Sequence, residues 1–336
     1  METLLHVAVI LGGVILGIAL FVALSAVTIH LIWMVFFQFI YLPICARVFT
    51  EIPWMKAKAE PPLDPAEECE FTTEDGVTLR GSYLATPAAQ RLGTVVYCHE
   101  LTGDRWGAVP YLESVWREGF DVFAFDFRNH GASDSVPDYL PLPYTTEYEL
   151  LDVKAAVDFV AERQNGSDSK LALMGVSRGG TTALSWAARD ARIHAVVTDG
   201  AFPLVPTLNC YLRRYCRIFT FLGPIVDWLP EWWASWHMGW TVRHVQRVRT
   251  LQFVRLEWMV HQIQQPVMMV HGARDNYIPL SAAETISRKL RNLKEMWVVP
   301  KAKHNRAIYV AGDEYLPKLA AFLRENLAEQ PPHIAP

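Results

Sequence analysis

Between Thr3 and Ala46 the chain has no aspartate, glutamate, lysine or arginine, and its only acidic or basic side chains there are His6 and His30. A helix lying on a globular surface needs a polar face, so this absence excludes an ordinary surface segment. Leu4 to Ile29 alone is longer than the about 20 apolar residues that cross a bilayer core. Gly12, Gly13 and Gly17 are compatible with that reading, because glycine is commoner in membrane helices than in soluble ones. Cysteine is also scarce. Its five occurrences (Cys45, Cys69, Cys98, Cys210 and Cys216) show neither metal-ligand spacing nor a disulfide framework. Cys210 and Cys216 are near enough in sequence to pair in an oxidising compartment, but nothing requires it. There is no basic excess: the formal net charge is −4, which argues against nucleic acid as a partner. Internal repeats and low-complexity tracts are absent as well.

What stands at the N-terminus is an apolar run that continues to Cys45. A cleaved signal peptide needs a basic start and a shorter apolar core. This chain begins Met1-Glu2-Thr3, so a retained single-pass signal anchor over residues 1–46 is expected. Trp33, Phe36, Phe37, Phe39 and Tyr41 crowd its second half. That half either extends a tilted helix, lies in the interface, where aromatic residues are favoured, or forms a second short membrane segment. Glu2 and the α-amino group precede the span; Arg47, Lys56 and Lys58 follow it, against Glu51 and Glu60, and acids contribute little to orientation. By the basic bias of cytoplasmic flanks, the rest of the protein is expected on that side. Residues 47–67, with the proline-rich Glu60-Pro61-Pro62-Leu63-Asp64-Pro65, read as a semi-rigid linker. A folded domain is expected over 68–328, followed by a disordered tail at 329–336.

Within the domain, Gly175-Val176-Ser177-Arg178-Gly179 carries the most information. It follows the apolar run Leu171–Met174, a buried strand by pattern. It precedes a small-residue helix starting at Gly180. Strand, G-x-S-x-G and helix are the context of a nucleophile elbow. A serine hydroxyl needs a base, and that base needs an orienting group. Pro266–Gly272 reads as a strand that delivers Asp275 just past its end. Glu295–Pro300 reads as a later strand, with His304 in the loop beyond it. The order Ser177, Asp275, His304 is that of α/β-hydrolases and differs from chymotrypsin-like and subtilisin-like orders.

From about Glu68 to Leu327 the chain resembles the α/β-hydrolase superfamily, in the branch of serine aminopeptidases, monoglyceride lipases and membrane-anchored ABHD-type hydrolases. The resemblance also rests on Glu70–Gly81 as an opening hairpin with Asp75-Gly76 at its turn, and on Asp126-Phe127-Arg128-Asn129-His130-Gly131-Ala132-Ser133 after the fourth strand. It implies a mostly parallel sheet with helices on both faces and a helical lid, here residues 201–265. It further implies an oxyanion hole from the backbone N–H groups of Leu101 and Arg178. The sequence departs from the family at Glu100, where a glycine is usual. A carboxylate facing the oxyanion would oppose catalysis, so its side chain is expected to turn away, toward Arg105 or Arg178. His99 and His130 are expected to support the loops. Thr146 with Glu149 forms a capping box for a helix through Arg163. Further helices are expected over Ala282–Leu290 and Leu316–Leu327.

The lid segment holds half of the 12 tryptophans and seven arginines against Asp227, Glu231 and Glu257. That composition suits an anionic membrane surface, a lipophilic pocket cover or a small aromatic core. The expected activity is hydrolysis of an ester or other acyl bond through Ser177, His304 and Asp275. A lipophilic small-molecule acyl substrate and membrane lipids are the expected partners, and no cofactor or metal is implied. An aminopeptidase or amidase of the same fold, and a catalytically silent binding scaffold, are the alternatives.

Overall fold

A computed structural model of the protein describes residues 1–50, 57–164, 170–219 and 223–327. The expected tail at 329–336 and Lys56 lie outside the described residues. The chain divides into two units, Met1–Thr50 and Glu51–Pro336.

The first unit is helical throughout. Helix α1 spans Glu2–Phe36, a π-helical turn spans Phe37–Tyr41 and α2 spans Leu42–Thr50. No residue of α1 is buried. The aromatic half continues the helix. The π turn ends at Tyr41, two residues before Pro43, which has no N–H to donate. The wider register closes with the Leu42 N–H on the Phe37 carbonyl, so the helix passes the proline without a break. Glu2–Arg47 is the one described helix long and apolar enough to cross a membrane.

Among its described residues the second unit has eight strands: β1 Glu67–Thr72, β2 Thr78–Leu84, β3 Gly93–Cys98, β4 Phe120–Phe125, β5 Leu171–Val176, β6 Ile193–Asp199, β7 Val267–Gly272 and β8 Leu293–Val299. Their spatial order is β1-β2-β4-β3-β5-β6-β7-β8. β1 and β2 form the expected antiparallel hairpin, with Phe71 opposite Leu79. β2 joins β4 antiparallel, and every pairing from β4 to β8 is parallel. β3, β4, β5 and β7 are buried along their whole length, as their near-continuous apolar sequences require of strands covered on both faces.

The covering helices are α3 Val109–Arg117, α4 Glu147–Arg163, α5 Arg178–Ala187, α10 Leu280–Ser287 and α11 Ala307–Leu327. One core contains Val153, Val157, Leu184 and Ile286 of α4, α5 and α10 against Phe123 and Leu173. The other contains Leu112, Val115, Leu319 and Leu323 of α3 and α11 against Val95 and Met174. The capping box forms as expected: the Thr146 hydroxyl accepts from the Tyr148 N–H, and Glu149 returns to the Thr146 N–H. Two boundaries shift. α10 runs over 280–287 rather than 282–290. α11 begins at Ala307, well before Leu316, and carries Pro317 in its interior.

Between β6 and β7 the alternation gives way to a cap of α6 Leu204–Phe219, α7 Gly223–Trp228, α8 Glu231–Arg249 and α9 Leu256–Met259. α6 packs against α8. Only one of the six cap tryptophans, Trp233, is buried, so an aromatic core is not what the others form. All five cysteines are free thiols.

Candidate active site

Ser177 stands between β5 and α5 with φ 52° and ψ −118°, a conformation costly for a residue with a Cβ. The flanking glycines make it feasible. A Cβ on Gly175 would lie 2.3 Å from the Gly179 carbonyl oxygen, and one on Gly179 would lie 2.1 Å from that of Cys98. Neither approach admits a side chain, so the two glycines let the turn fold back against β3. The result aims the Ser177 hydroxyl at the cavity above the strand ends.

The Ser177 Oγ lies 2.8 Å from His304 Nε2, and His304 Nδ1 lies 2.6 Å from Asp275 Oδ2. The other carboxylate oxygen of Asp275 accepts from the N–H groups of Tyr277 and Ile278 at 2.9 and 2.8 Å. That turn fixes the acid without competing for the oxygen facing the imidazole. Gly200, at φ 74°, passes beneath the ring, where an added Cβ would come within 3.4 Å of His304 Cε1. Burial alone lowers the His304 pKa. Its bond to Asp275 and the nearby charges of Asp275, Glu100 and Asp199 outweigh that and hold the pKa above its ordinary value. The structure therefore brings together Ser177, His304 and Asp275 from three separate strand ends.

The loop after β3 is held by histidines. The Phe127 N–H donates to His99 Nε2, so His99 Nδ1 carries the proton and donates to the Glu100 carbonyl at 2.6 Å. Burial keeps this ring neutral, its pKa far below the ordinary value. Because a trans peptide sets N–H opposite C=O, that anchor directs the Leu101 N–H to the other side. His130 Nδ1 and Nε2 lie 2.8 and 2.5 Å from the carbonyl oxygens of Arg128 and Leu101. Both histidines thus hold loop backbone in place, as expected. The N–H of Arg178 belongs to the first turn of α5, where backbone donors have no partner within the helix.

The expectation for Glu100 is overturned in its direction. Arg105 is occupied by Asp126 at 2.5 Å and Glu68 at 2.7 Å. Arg178 is buried against Glu149 at 3.1 Å and the Leu142 carbonyl at 3.2 Å. Glu100 instead lines the cavity and accepts a hydrogen bond from Asn305 Nδ2, the residue after His304. Burial raises its pKa, against the Asn305 bond and the His304 charge. Neither arginine was open to it, because both neutralise acids packed under the strand ends.

The cavity has a volume of about 130 Å³ and is lined by Ser177, His304, Glu100, Leu101 and six tyrosines: Tyr97, Tyr111, Tyr144, Tyr211, Tyr277 and Tyr309. Tyr211 comes from α6 of the cap and donates to the Tyr277 carbonyl at 2.5 Å. Ala57, Lys58 and Glu60 also line it. The Ala57 N–H donates to Thr102 Oγ1 at 2.8 Å, and Tyr309 donates to Glu60. The segment read as a spacer is therefore partly a wall of the site. Its proline-rich composition contained no signal of that contact.

A serine on a strained strand-to-helix turn, with acid and base from later strand ends, defines the α/β-hydrolase class. The fold is that of an α/β-hydrolase, and a family model described as alpha/beta hydrolase fold matches residues 93–236. Among solved structures, an esterase of Pyrococcus furiosus, Pf2001, superposes with a TM-score of 0.59 at 24% identity, over 81% of this chain and 98% of its own. The uncharacterised protein YfhR of Escherichia coli is 25% identical over 311 residues, 91% of this chain and 93% of that protein. The thiohydrolase aneE of Aspergillus aculeatus is 31% identical over 133 residues, 39% of this chain and 40% of its own. Among the described residues no cluster of histidine, cysteine or acid side chains is arranged to hold a metal ion.

Proposed function

We propose that the protein is a membrane-anchored serine hydrolase that cleaves an ester or other acyl bond of a lipophilic substrate. The observation that carries this reading is the continuous contact from Ser177 Oγ through His304 to Asp275 Oδ2, at 2.8 and 2.6 Å. Ser177 attacks the acyl carbon while His304 Nε2 takes its proton. Asp275 holds the tautomer and stabilises the imidazolium. The N–H groups of Leu101 and Arg178 receive the oxyanion. His304 then protonates the leaving group, and water resolves the acyl-enzyme by the same base. The aromatic lining supports a lipophilic acyl group, and the esterase and thiohydrolase among the similar proteins point to the same class of bond. The apolar helix of the first unit supports a retained anchor, and the basic residues after it, Arg47, Lys56 and Lys58, are what would put the hydrolase domain on the cytoplasmic side.

A second reading keeps the mechanism and changes the bond. Glu100 is a carboxylate in the cavity wall, a counter-charge for a free ammonium, and it favours an aminopeptidase or amidase. Turnover of acyl esters and thioesters of graded chain length, and of aminoacyl amides, by the full-length protein separates the two. Preference for long acyl chains supports the first, and preference for a free amino group supports the second. No turnover of any of them, together with identical behaviour of Ser177→Ala, would leave a silent binding scaffold.

A further inference from the structure

The cap helix α8 has its apolar residues on both sides. One face is packed: Trp233, Ala234, His237, Met238, Thr241, Val242 and Val245 are buried. At 100° per residue, Trp232, Trp236, Trp240, Arg243 and Arg247 fall together on the opposite face. That face is outward: Trp232 is 69% exposed, Trp236 41% and Trp240 37%. One turn before α8, Trp228 is 91% exposed. An outward helix face is ordinarily polar. Three indoles followed by two arginines, with no acid among them, call for a partner.

We propose that this face docks at the interface of an anionic lipid bilayer. The tryptophans would sit at headgroup level, and Arg243 and Arg247 would meet lipid phosphates and carboxylates. Three observations select the bilayer. Indole is the apolar group best suited to the headgroup region, since its N–H stays hydrated while the ring is buried. The arginines give the stripe a cationic end; Arg243 lies 5.4 Å over the Trp240 ring, so charge and aromatic face form one surface. The cap as a whole has seven arginines against three acids, a balance complementary to anionic headgroups. A second copy of the chain pairing through this face would meet the same cations with no acid on it. α8 packs on α6, which supplies Tyr211 to the cavity. Docking therefore holds the roof of the cavity against the lipid from which a lipophilic substrate would come. The docking itself rests on the geometry of α8 and not on the catalytic reading.

The test uses the full-length protein in liposomes of phosphatidylcholine and phosphatidylserine, at matched protein concentration. The emission of Trp232→Ser/Trp236→Ser/Trp240→Ser is subtracted from that of the native chain, which isolates the three indoles from the other tryptophans. Thermal melting confirms that the variant is folded. Docking predicts a blue-shifted difference emission that brominated acyl chains quench and aqueous acrylamide does not. Arg243→Gln and Arg247→Gln should each weaken the docking equilibrium about fivefold in anionic liposomes, with little effect in pure phosphatidylcholine. A water-like difference emission, open to acrylamide and untouched by brominated lipid, would overturn the proposal. Shielding that follows protein concentration in detergent and ignores brominated lipid would overturn it in favour of a second copy. Neither readout depends on turnover, so this proposal and the hydrolase reading fail separately.

Discussion

Below the strand ends, Arg128, Asp152, Arg178 and Glu149 are almost wholly removed from solvent. In the cap, Trp228, Trp232, Trp236 and Trp258 stand in it. Each region reverses the usual distribution of polar and apolar groups, but only the first is enclosed by the protein. Arg128 bridges Asp152 of α4 at 2.7 Å and Asp75 of the hairpin turn at 2.6 Å. Arg178 is matched by Glu149. These pairs fasten the turn, the loop after β4 and the elbow to one another, and so position the serine. The exposed indoles touch neighbours within the cap, as Trp236 does Trp240 and Trp258 does Arg255 at 3.9 Å, yet each keeps 41% to 91% of its surface in solvent. Enclosed polar groups inside the domain point to positioning, and solvent-facing indoles at its surface point outward to a partner.

The largest expected effect is catalytic. Ser177→Ala or His304→Ala should lower turnover by about 10⁴-fold or more, because triad members act as a unit. Melting temperatures near the native value would show that only chemistry was lost. Steady-state kinetics with residual activity near the native level would remove Ser177 from its role.

Stability measurements break or sharpen the comparison directly. Glu149→Ala leaves the Arg178 guanidinium buried beside an empty space and should cost about 3–5 kcal/mol in denaturant unfolding. Trp232→Ser should change stability by no more than about 0.5 kcal/mol, as surface substitutions do. Similar costs for the two would mean that the regions are not different in kind.

Glu100 gives an intermediate effect with a pH signature. The negative charges around His304 hold its pKa above the ordinary value, and the base must be neutral to act. Activity should therefore rise with pH through that raised pKa. Glu100→Gln keeps an acceptor for Asn305 and removes one charge, so the acid limb of kcat/KM should move to lower pH. Glu100→Gly also removes the tie between the loop after β3 and the histidine loop and should lower kcat, by about tenfold or more where positioning is lost. An unmoved acid limb in both variants would exclude electrostatic coupling between Glu100 and His304.

A smaller effect than that of Glu149 concerns Asp199, which accepts from Tyr315 at 3.1 Å beneath the elbow. Burial, with the charges of Asp275 and Glu100, pushes its pKa up to about 7. The folded state then binds a proton more tightly than the unfolded chain. The sign follows: stability is greatest below the ordinary carboxylate pKa and falls as pH rises toward about 7. Asp199→Asn should stabilise the protein above neutrality, by about 1–2 kcal/mol, and leave acid stability little changed. Equal shifts in melting temperature at pH 5 and pH 8 would contradict this.

Much of this arrangement was legible in local sequence. Gly175 and Gly179 declare the elbow because only glycine fits where the first meets the backbone of the second and the second meets that of Cys98. The apolar runs before Asp275 and His304 place both at strand ends, and Thr146 with Glu149 announces its own helix. The illegible parts depend on residues far apart in the chain. Glu100 finds Asn305, and Ala57 finds Thr102, only after the sheet has brought their loops together. The start of α11 was hidden because Pro317 reads as a helix beginning and here lies in an interior. The orientation of α8 was hidden because tryptophans occupy both faces, so periodicity distinguishes no inside.

The central claim, a primed serine nucleophile, is most directly tested by active-site titration of the full-length protein with a fluorophosphonate. Intact-mass and peptide mass spectrometry should find a single adduct on Ser177, formed at a rate that rises with pH as His304 loses its proton, and no adduct on Ser177→Ala. Labelling elsewhere on the chain, or none on the folded native protein at any pH, would contradict the account.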